Sequence, residues 1–73
     1  MAELAVRAEC AGVVLSLAVS AGDAVEPDQE LLVIESMKTE IPVSSPRAGR
    51  VAALRVTTGQ VVEERQVLAL IET

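Results

Sequence analysis

Lys38 lies between two apolar stretches that are typical of β-strands, and its amine could carry chemistry. Residues 31–35 precede it and residues 41–43 follow it, so the connection 36–40 is short enough for a tight hairpin. A lysine amine can form an amide, which removes its positive charge. Because an amine of pKa about 10.4 is neutral in only about one molecule in a few thousand at pH 7, a separate enzyme would have to deliver an activated acid.

The connection itself contains no Gly, Asn, Asp or Pro. A tight turn without these residues forces ordinary residues into sparsely populated backbone angles, and such strain is more common at functional sites than elsewhere. The same residues also fit a continuous strand in which Lys38 is a solvated side chain. Turn chemistry alone favours that simpler interpretation.

The composition leaves few routes to catalysis by the chain itself. It has no histidine, which removes the base of a Ser-His-Asp or Cys-His site and the usual nitrogen ligands of zinc. The single cysteine, Cys10, cannot form an internal disulfide, and we interpret it as a small buried hydrophobic residue in a reducing cytoplasm. We therefore expect a non-catalytic chain without a metal site.

Charge and hydropathy also exclude classes of partner. The net charge is -5 and aromatic residues make up 0% of the chain, so it lacks both the attraction to phosphates and the stacking surfaces of nucleic-acid binding. No apolar run approaches the roughly 20 residues of a membrane helix, and residues 1–7 lack the order of a signal peptide. We expect a cytoplasmic protein that binds neither nucleic acid nor membranes.

The length and the residue types predict the fold class. Seventy-three residues are enough for one domain, residues 1–73. Hydrophobic residues make up 51% of the chain, and the abundance of β-branched valine favours strands over helices. We therefore predict an all-β fold with a core of Val, Leu, Ile and Ala.

An internal repeat organises these strands. Residues 11–35 align with residues 48–72 without a gap, and twelve of the twenty-five positions are identical, including Gly12/Gly49 and Gly22/Gly59. In the strand that opens each half, two of the matched apolar residues are three positions apart, and side chains at that spacing point to opposite faces of a regular strand. This spacing predicts a bulge between Val14 and Leu17 and again between Val51 and Leu54. Two equal halves that bury their apolar faces together predict a flattened barrel or sandwich with a pseudo-two-fold axis.

Three segments lie outside this alignment. Residues 3–8 alternate in the pattern of a half-buried strand, residues 36–43 follow the first half, and residues 44–47 form a polar turn into the second. A hairpin tip at residues 36–40 would stand at the opposite end of the barrel from the chain termini.

The segment Glu35-Ser36-Met37-Lys38-Thr39-Glu40-Ile41-Pro42 resembles the attachment segment of the biotinyl/lipoyl domain family. The resemblance covers nearly the whole chain, because the turn and strand residues before and after this segment also match. It implies a barrel-sandwich of two four-stranded antiparallel sheets. It also implies that Lys38 is the modified residue at a hairpin tip, flanked by Met37 and Thr39.

Met37 before the lysine is similar to the biotin pattern, whereas lipoyl domains usually have Asp there. Three positions depart from the family pattern. Thr39 stands where biotinyl domains usually have a second Met, which puts efficient carboxyl transfer in question. Asp28 and Arg65 stand where the family often has Gly, and because Arg tolerates left-handed backbone less well than Asp, we expect the second turn to differ in shape.

The resemblance further implies a covalent biotin carrier. A biotin protein ligase would read the hairpin with Glu35 and Glu40 and join biotin to Lys38 through an amide. The biotin would then carry a carboxyl group between a biotin carboxylase and a carboxyltransferase. Two alternatives stay open: a lipoyl carrier of an oxoacid dehydrogenase complex, with lipoate as the less expected cofactor, and an unmodified structural barrel.

Overall fold

The computed structural model describes residues 2–73, which form eight β-strands and no helix. In chain order these strands are β1 (Glu3–Arg7), β2 (Gly12–Leu17), β3 (Ala24–Val25), β4 (Glu30–Ser36), β5 (Thr39–Ser44), β6 (Gly49–Leu54), β7 (Val61–Val62) and β8 (Val67–Glu72). The prediction of an all-β fold is confirmed. Within residues 2–73 there is accordingly no long apolar helix of the kind that crosses a bilayer.

The strands form two four-stranded antiparallel sheets. Sheet A has the order β1-β8-β6-β3 and sheet B has the order β5-β4-β2-β7. The N-terminal half, β1 to β4, and the C-terminal half, β5 to β8, each contribute two strands to each sheet. Of the six strand pairs, only β2–β4 and β6–β8 join strands of the same half, so the two halves interlock as the predicted barrel-sandwich requires.

The pseudo-two-fold symmetry extends beyond the aligned repeat. β1 pairs with β8 in the register that β5 uses with β4: Leu4 is opposite Ile71, and Ile41 is opposite Ile34. The sequence alignment did not include residues 3–8 and 36–43, and the structure shows that β1 and β5 within them are equivalent as well. The sequence concealed this relation because equivalent edge-strand positions such as Ala5 and Pro42 need only a similar backbone, whereas the turns and the core conserve residue types.

Both predicted bulges are present. The pairing of β2 with β4 shifts register between Val14 and Ser16, and the pairing of β6 with β8 shifts between Val51 and Ala53. An extra residue in one strand changes which side chain faces inward, so the buried Val14 and the half-buried Leu17 both face the core. Bent strands of this kind let two short sheets close over one another.

The core consists of two buried clusters that the pseudo-two-fold relates. The first contains Val6, Val19, Val25, Leu31, Val51, Ala69 and Ile71, and the second contains Ala8, Val14, Leu32, Ile34, Val56, Val62 and Leu68. Both clusters draw residues from both halves, and the half-buried Val43 packs against each of them. The predicted core of small aliphatic residues is confirmed. Cys10 is only half-buried, so its assignment to the core was wrong.

The turns before β4 and β8 have the same shape. Asp28 and Arg65 both have left-handed backbone, with φ of 67° and 69°. The expectation that these turns differ was wrong. The Asp28 amide donates to the Ser45 carbonyl and the Arg65 amide to the Ala8 carbonyl, so equivalent tertiary hydrogen bonds impose one backbone on two residues of different preference.

We expect neither half to fold alone, because fragments 1–38 and 39–73 retain only one strand pair each and expose half of both core clusters. Amide NMR spectra of the separate fragments should be poorly dispersed, and an equimolar mixture should recover dispersed, strand-like shifts. A dispersed spectrum from either fragment by itself would contradict the shared core.

Candidate functional site

Lys38 lies in a two-residue turn between β4 and β5. β4 ends at Ser36, β5 begins at Thr39, and these two residues are opposite each other as the last pair of the ladder. Met37 and Lys38 between them have φ of 53° and 64°. Positive φ at both central positions is the pattern of a type I′ turn, the usual connection of tight hairpins. The alternative of a continuous strand through Lys38 is therefore wrong.

The turn keeps its shape against the preference of its residues. Type I′ turns favour Asn-Gly, and an ordinary L residue in left-handed backbone costs roughly 1 to 2 kcal/mol. Six residue pairs between β4 and β5 hold the ends of the turn together. The adjacent left-handed residues Met37 and Lys38 have no counterpart in the other half, because the equivalent place is the gap between β8 and β1.

We predict that Met37→Asn raises the free energy of unfolding and lowers the rate at which a ligase modifies Lys38. Asn tolerates left-handed backbone better than Met, so the gain should be about 0.5 to 1 kcal/mol, measured by urea unfolding. The Met37 side chain is 95% exposed and makes no contribution to the core, so its loss removes no core contact, and we expect it to slow modification by removing a contact with the ligase. A variant with unchanged stability would contradict the strain argument, and faster modification would contradict a role for Met37 in recognition.

The residues around the turn are all accessible. Lys38, Thr39, Glu35 and Glu40 are exposed, and Ser36 is half-buried. Glu35 and Glu40 are directly opposite each other, which places their Cβ atoms about 5 Å apart on one face of the hairpin. Two carboxylates in that arrangement repel each other, so they create a local negative potential below the turn.

One signal was overlooked in the sequence. Lys38 is the only lysine among the 73 residues, and the five other cationic side chains are arginines. An arginine guanidinium stays protonated in proteins, so it does not react as an amine to form an amide. Within this chain, acylation of a side-chain amine therefore has Lys38 as its one possible target.

A concave feature of the described residues lies apart from this turn. An open cleft of about 350 Å³ lies between the edge strands β1 and β5 and is lined by residues that include Cys10, Ile41 and Pro42, but not Lys38. The lysine thus protrudes from the barrel and is not enclosed by it. This geometry fits presentation of an attached group to another protein.

Comparisons with known proteins agree with this geometry. The profile of the Biotin_lipoyl family, described as biotin-requiring enzyme, matches residues 2–71. No curated protein sequence matches the chain. Urea carboxylase of Kluyveromyces lactis is similar in structure, with a TM-score of 0.92 and 28% identity over 99% of this chain.

Two further solved structures are similar. A single-chain, multi-domain long-chain acyl-CoA carboxylase has a TM-score of 0.86 and 35% identity over 93% of this chain. The lipoyl domain of the 2-oxoglutarate dehydrogenase complex from Azotobacter vinelandii has a TM-score of 0.76 and 23% identity, over 88% of this chain and 81% of that one. The chain spans only 6% and 7% of the two carboxylases.

The family profile matches residues 2–71, and the two interlocked sheets with a protruding hairpin indicate the same family. The chain belongs to the biotin/lipoyl attachment family, whose domains are carriers and not catalysts.

Proposed function

We propose that this chain is a biotin carrier in which Lys38 bears biotin through an amide bond. A biotin protein ligase attaches the biotin, and the loaded domain moves a carboxyl group between a biotin carboxylase and a carboxyltransferase. The observation that carries the proposal is a single exposed lysine in a strained two-residue turn, preceded by the exposed Met37. We further propose that residues 1–73 act as one module and that it works in the cytoplasm.

The residues at the turn fit a covalently attached group. Lys38 is exposed and does not line the cleft between β1 and β5. In ligation, the neutral Nζ attacks the carbonyl carbon of activated biotin, loses a proton and forms an amide as the activating group leaves. Attached biotin supplies the carboxyl-carrying chemistry, while the chain's residues hold the arm at the tip of a rigid hairpin.

Glu35 and Glu40 are the residues we propose for recognition by the ligase. They lie opposite each other on one face of the hairpin, one residue pair before the Ser36–Thr39 pair that closes the turn. A ligase surface with Lys or Arg would be attracted to this pair, and such complementarity mainly raises the rate of encounter. Met37 and Thr39 flank the lysine and would contact the same partner at close range.

Biotin is favoured over lipoate by two observations. Met37 stands before the lysine, where lipoyl domains usually have Asp. Two similar structures above 25% identity are carboxylases, whereas the lipoyl domain, at 23%, supports the fold alone. Lipoylation of Lys38 remains the alternative, and it is an outcome of the test below.

The test is co-expression of the chain with a biotin protein ligase and, separately, with a lipoate-attaching enzyme, followed by intact-mass measurement. We expect stoichiometric gain of one biotinyl group and no gain of a lipoyl group. Efficient lipoylation without biotinylation would overturn the proposal in favour of a lipoyl carrier. Absence of both modifications, in a chain with native dispersion in its NMR spectrum, would indicate an unmodified barrel.

We predict that Thr39→Met changes use of the biotin but not its attachment. Thr39 is exposed and begins β5 beside the Lys38 stem, so the change should alter stability by less than about 0.5 kcal/mol. Methionine is flexible and apolar and can pack against the arm or a partner's pocket, so carboxylation of the attached biotin should change in rate. Ligation rate, carboxylase turnover and melting temperature are measured for both chains. A tenfold change in ligation with equal turnover would assign residue 39 to the ligase instead.

A further inference from the structure

The exposed large apolar side chains of residues 2–73 are not scattered over the barrel. They are Val13, Leu15, Met37 and Val61, and all four belong to sheet B or to its hairpin. Val13 and Val61 are opposite each other on β2 and β7. Leu15 occupies the bulge in β2, which turns its side chain outward. We call Val13, Leu15 and Val61 the outer patch.

The pseudo-two-fold axis supplies a control within the molecule. The positions on sheet A that are equivalent to Val13, Leu15 and Val61 are Arg50, Ala52 and Ala24. The same backbone is therefore stable with small or charged residues there. Folding does not require the apolar side chains of the outer patch, and their presence on one sheet alone points to a contact made by that sheet.

The outer patch continues directly into the acidic pair below the lysine. The residues Glu40, Glu35, Val13 and Val61 lie side by side across all four strands of sheet B. With strands about 4.8 Å apart, this row spans about 14 Å, and Lys38 lies within a few residues of its acidic end. The row and the lysine therefore fit beneath one partner surface.

The charge on this face depends on the state of Lys38. None of the four strands of sheet B contains Lys or Arg, so Lys38 is the one cation of the sheet and its hairpin. Formation of an amide removes that charge and leaves carboxylates, including Glu35 and Glu40, as the charged side chains of sheet B and its hairpin. A partner with basic groups at this place is then attracted more strongly to the loaded chain than to the unloaded one.

We infer that the outer face of sheet B is the docking surface for the enzyme that carboxylates the attached biotin. This inference rests on the proposed function and names the surface used. The partner presents an apolar area to the outer patch and Lys or Arg side chains to Glu35 and Glu40. A partner that binds the biotinylated chain more strongly than the unmodified chain is suited to act on the attached biotin. A ligase, in contrast, must bind the unmodified chain. Three exposed side chains make a small contact, and small interfaces are typical of transient encounters.

The test exchanges two residues of the outer patch, Leu15 and Val61, with their equivalents on sheet A. Leu15→Ala/Val61→Ala gives sheet B the residues of sheet A, and the matched control Ala24→Val/Ala52→Leu gives sheet A the apolar residues of sheet B. All chains are biotinylated, and loading at Lys38 is verified by intact mass. The biotin carboxylase of the organism that makes this chain is then assayed with each loaded chain as substrate.

We expect Leu15→Ala/Val61→Ala to raise the KM of the carboxylase about tenfold, through loss of two apolar contacts, with little change in kcat. The control variant should stay within about twofold of the parent chain, because exposed positions that contact no partner are nearly neutral. Ligation rates should be similar for all three chains. In the parent chain, KM should rise with salt, and Glu35→Gln/Glu40→Gln should remove most of that dependence.

The outcomes separate this inference from the function on which it rests. If the parent chain is not biotinylated, or is biotinylated but never carboxylated, the carrier function itself fails. If the parent chain is carboxylated and both variants have its KM, the outer patch is not a docking surface. A rise in KM for the control variant alone would assign docking to sheet A. A slower ligation of Leu15→Ala/Val61→Ala, with unchanged KM for the carboxylase, would assign the outer patch to the ligase.

Discussion

Replacing Lys38 by Arg is expected to abolish biotinylation completely while leaving the fold intact. Arg keeps the positive charge and the aliphatic stem, but its guanidinium does not act as an amine nucleophile under these conditions. Since Lys38 is the only lysine of the chain, no second side chain can replace it. Intact mass after co-expression with a ligase should therefore show only the unmodified chain.

The stability of this variant provides the control. Lys38 is exposed and has left-handed backbone, which Arg adopts at similar cost, so the midpoint of urea unfolding should match that of the parent chain. Gain of one biotinyl group by Lys38→Arg would show that another group, such as the terminal amine, is the attachment site. That result would refute the assignment of Lys38.

Replacing Gly12 by Ala is expected to destabilise the fold strongly. A Cβ on Gly12 would lie 2.5 Å from the Glu35 carbonyl oxygen and 2.6 Å from Cγ2 of the buried Ile34. Because the obstructing atom belongs to the backbone of β4, it cannot move without disturbing the sheet. Overpacking of this kind costs about 3 kcal/mol. A 73-residue domain has a total stability of roughly 4 to 11 kcal/mol, so the melting temperature should fall by more than about 10 °C.

The symmetry and a second glycine test this explanation. Gly49 approaches Glu72 and Ile71 in the same way, so Gly49→Ala should be about as destabilising as Gly12→Ala. Gly59 has φ of 89°, and a Cβ on it would meet no heavy atom within 4 Å, so its requirement is conformational. Asn tolerates left-handed backbone, and Gly59→Asn should cost about 1 kcal/mol or less. Equal losses for Gly12→Ala and Gly59→Asn would contradict the steric argument.

Much of the fold could be predicted from the sequence, because the residues that are identical in both halves include those at positions where few residue types fit. The turn glycines Gly22 and Gly59 have positive φ, and Gly12 and Gly49 allow close approach of two strands. Few residue types satisfy either demand, so these positions stay identical in both halves. The two bulges were also predictable, because burial on a strand alternates and a change of parity has to be absorbed by an extra residue.

Edge strands and turn shapes were less predictable. The sequence does not reveal that β1 and β5 are equivalent, because a half-buried edge strand accepts Ala5 in one half and Pro42 in the other. It also suggested different turns at Asp28 and Arg65, where the structure has nearly the same φ. Hydrogen bonds from these turns to Ser45 and Ala8, distant in the chain, outweigh the small intrinsic preference of each residue.

Composition, glycine positions and local spacing are enough to predict the fold class and the repeat. The candidate lysine follows from the resemblance of residues 35–42 to the attachment segment of a known family. The tertiary structure decided that Met37 and Lys38 form a two-residue turn, because the paired strands β4 and β5 hold left-handed backbone that neither residue prefers. It also decided that Val13, Leu15 and Val61 share one surface with Glu35 and Glu40. Residues so far apart in the chain meet only through strand pairing and register, and no local pattern encodes them.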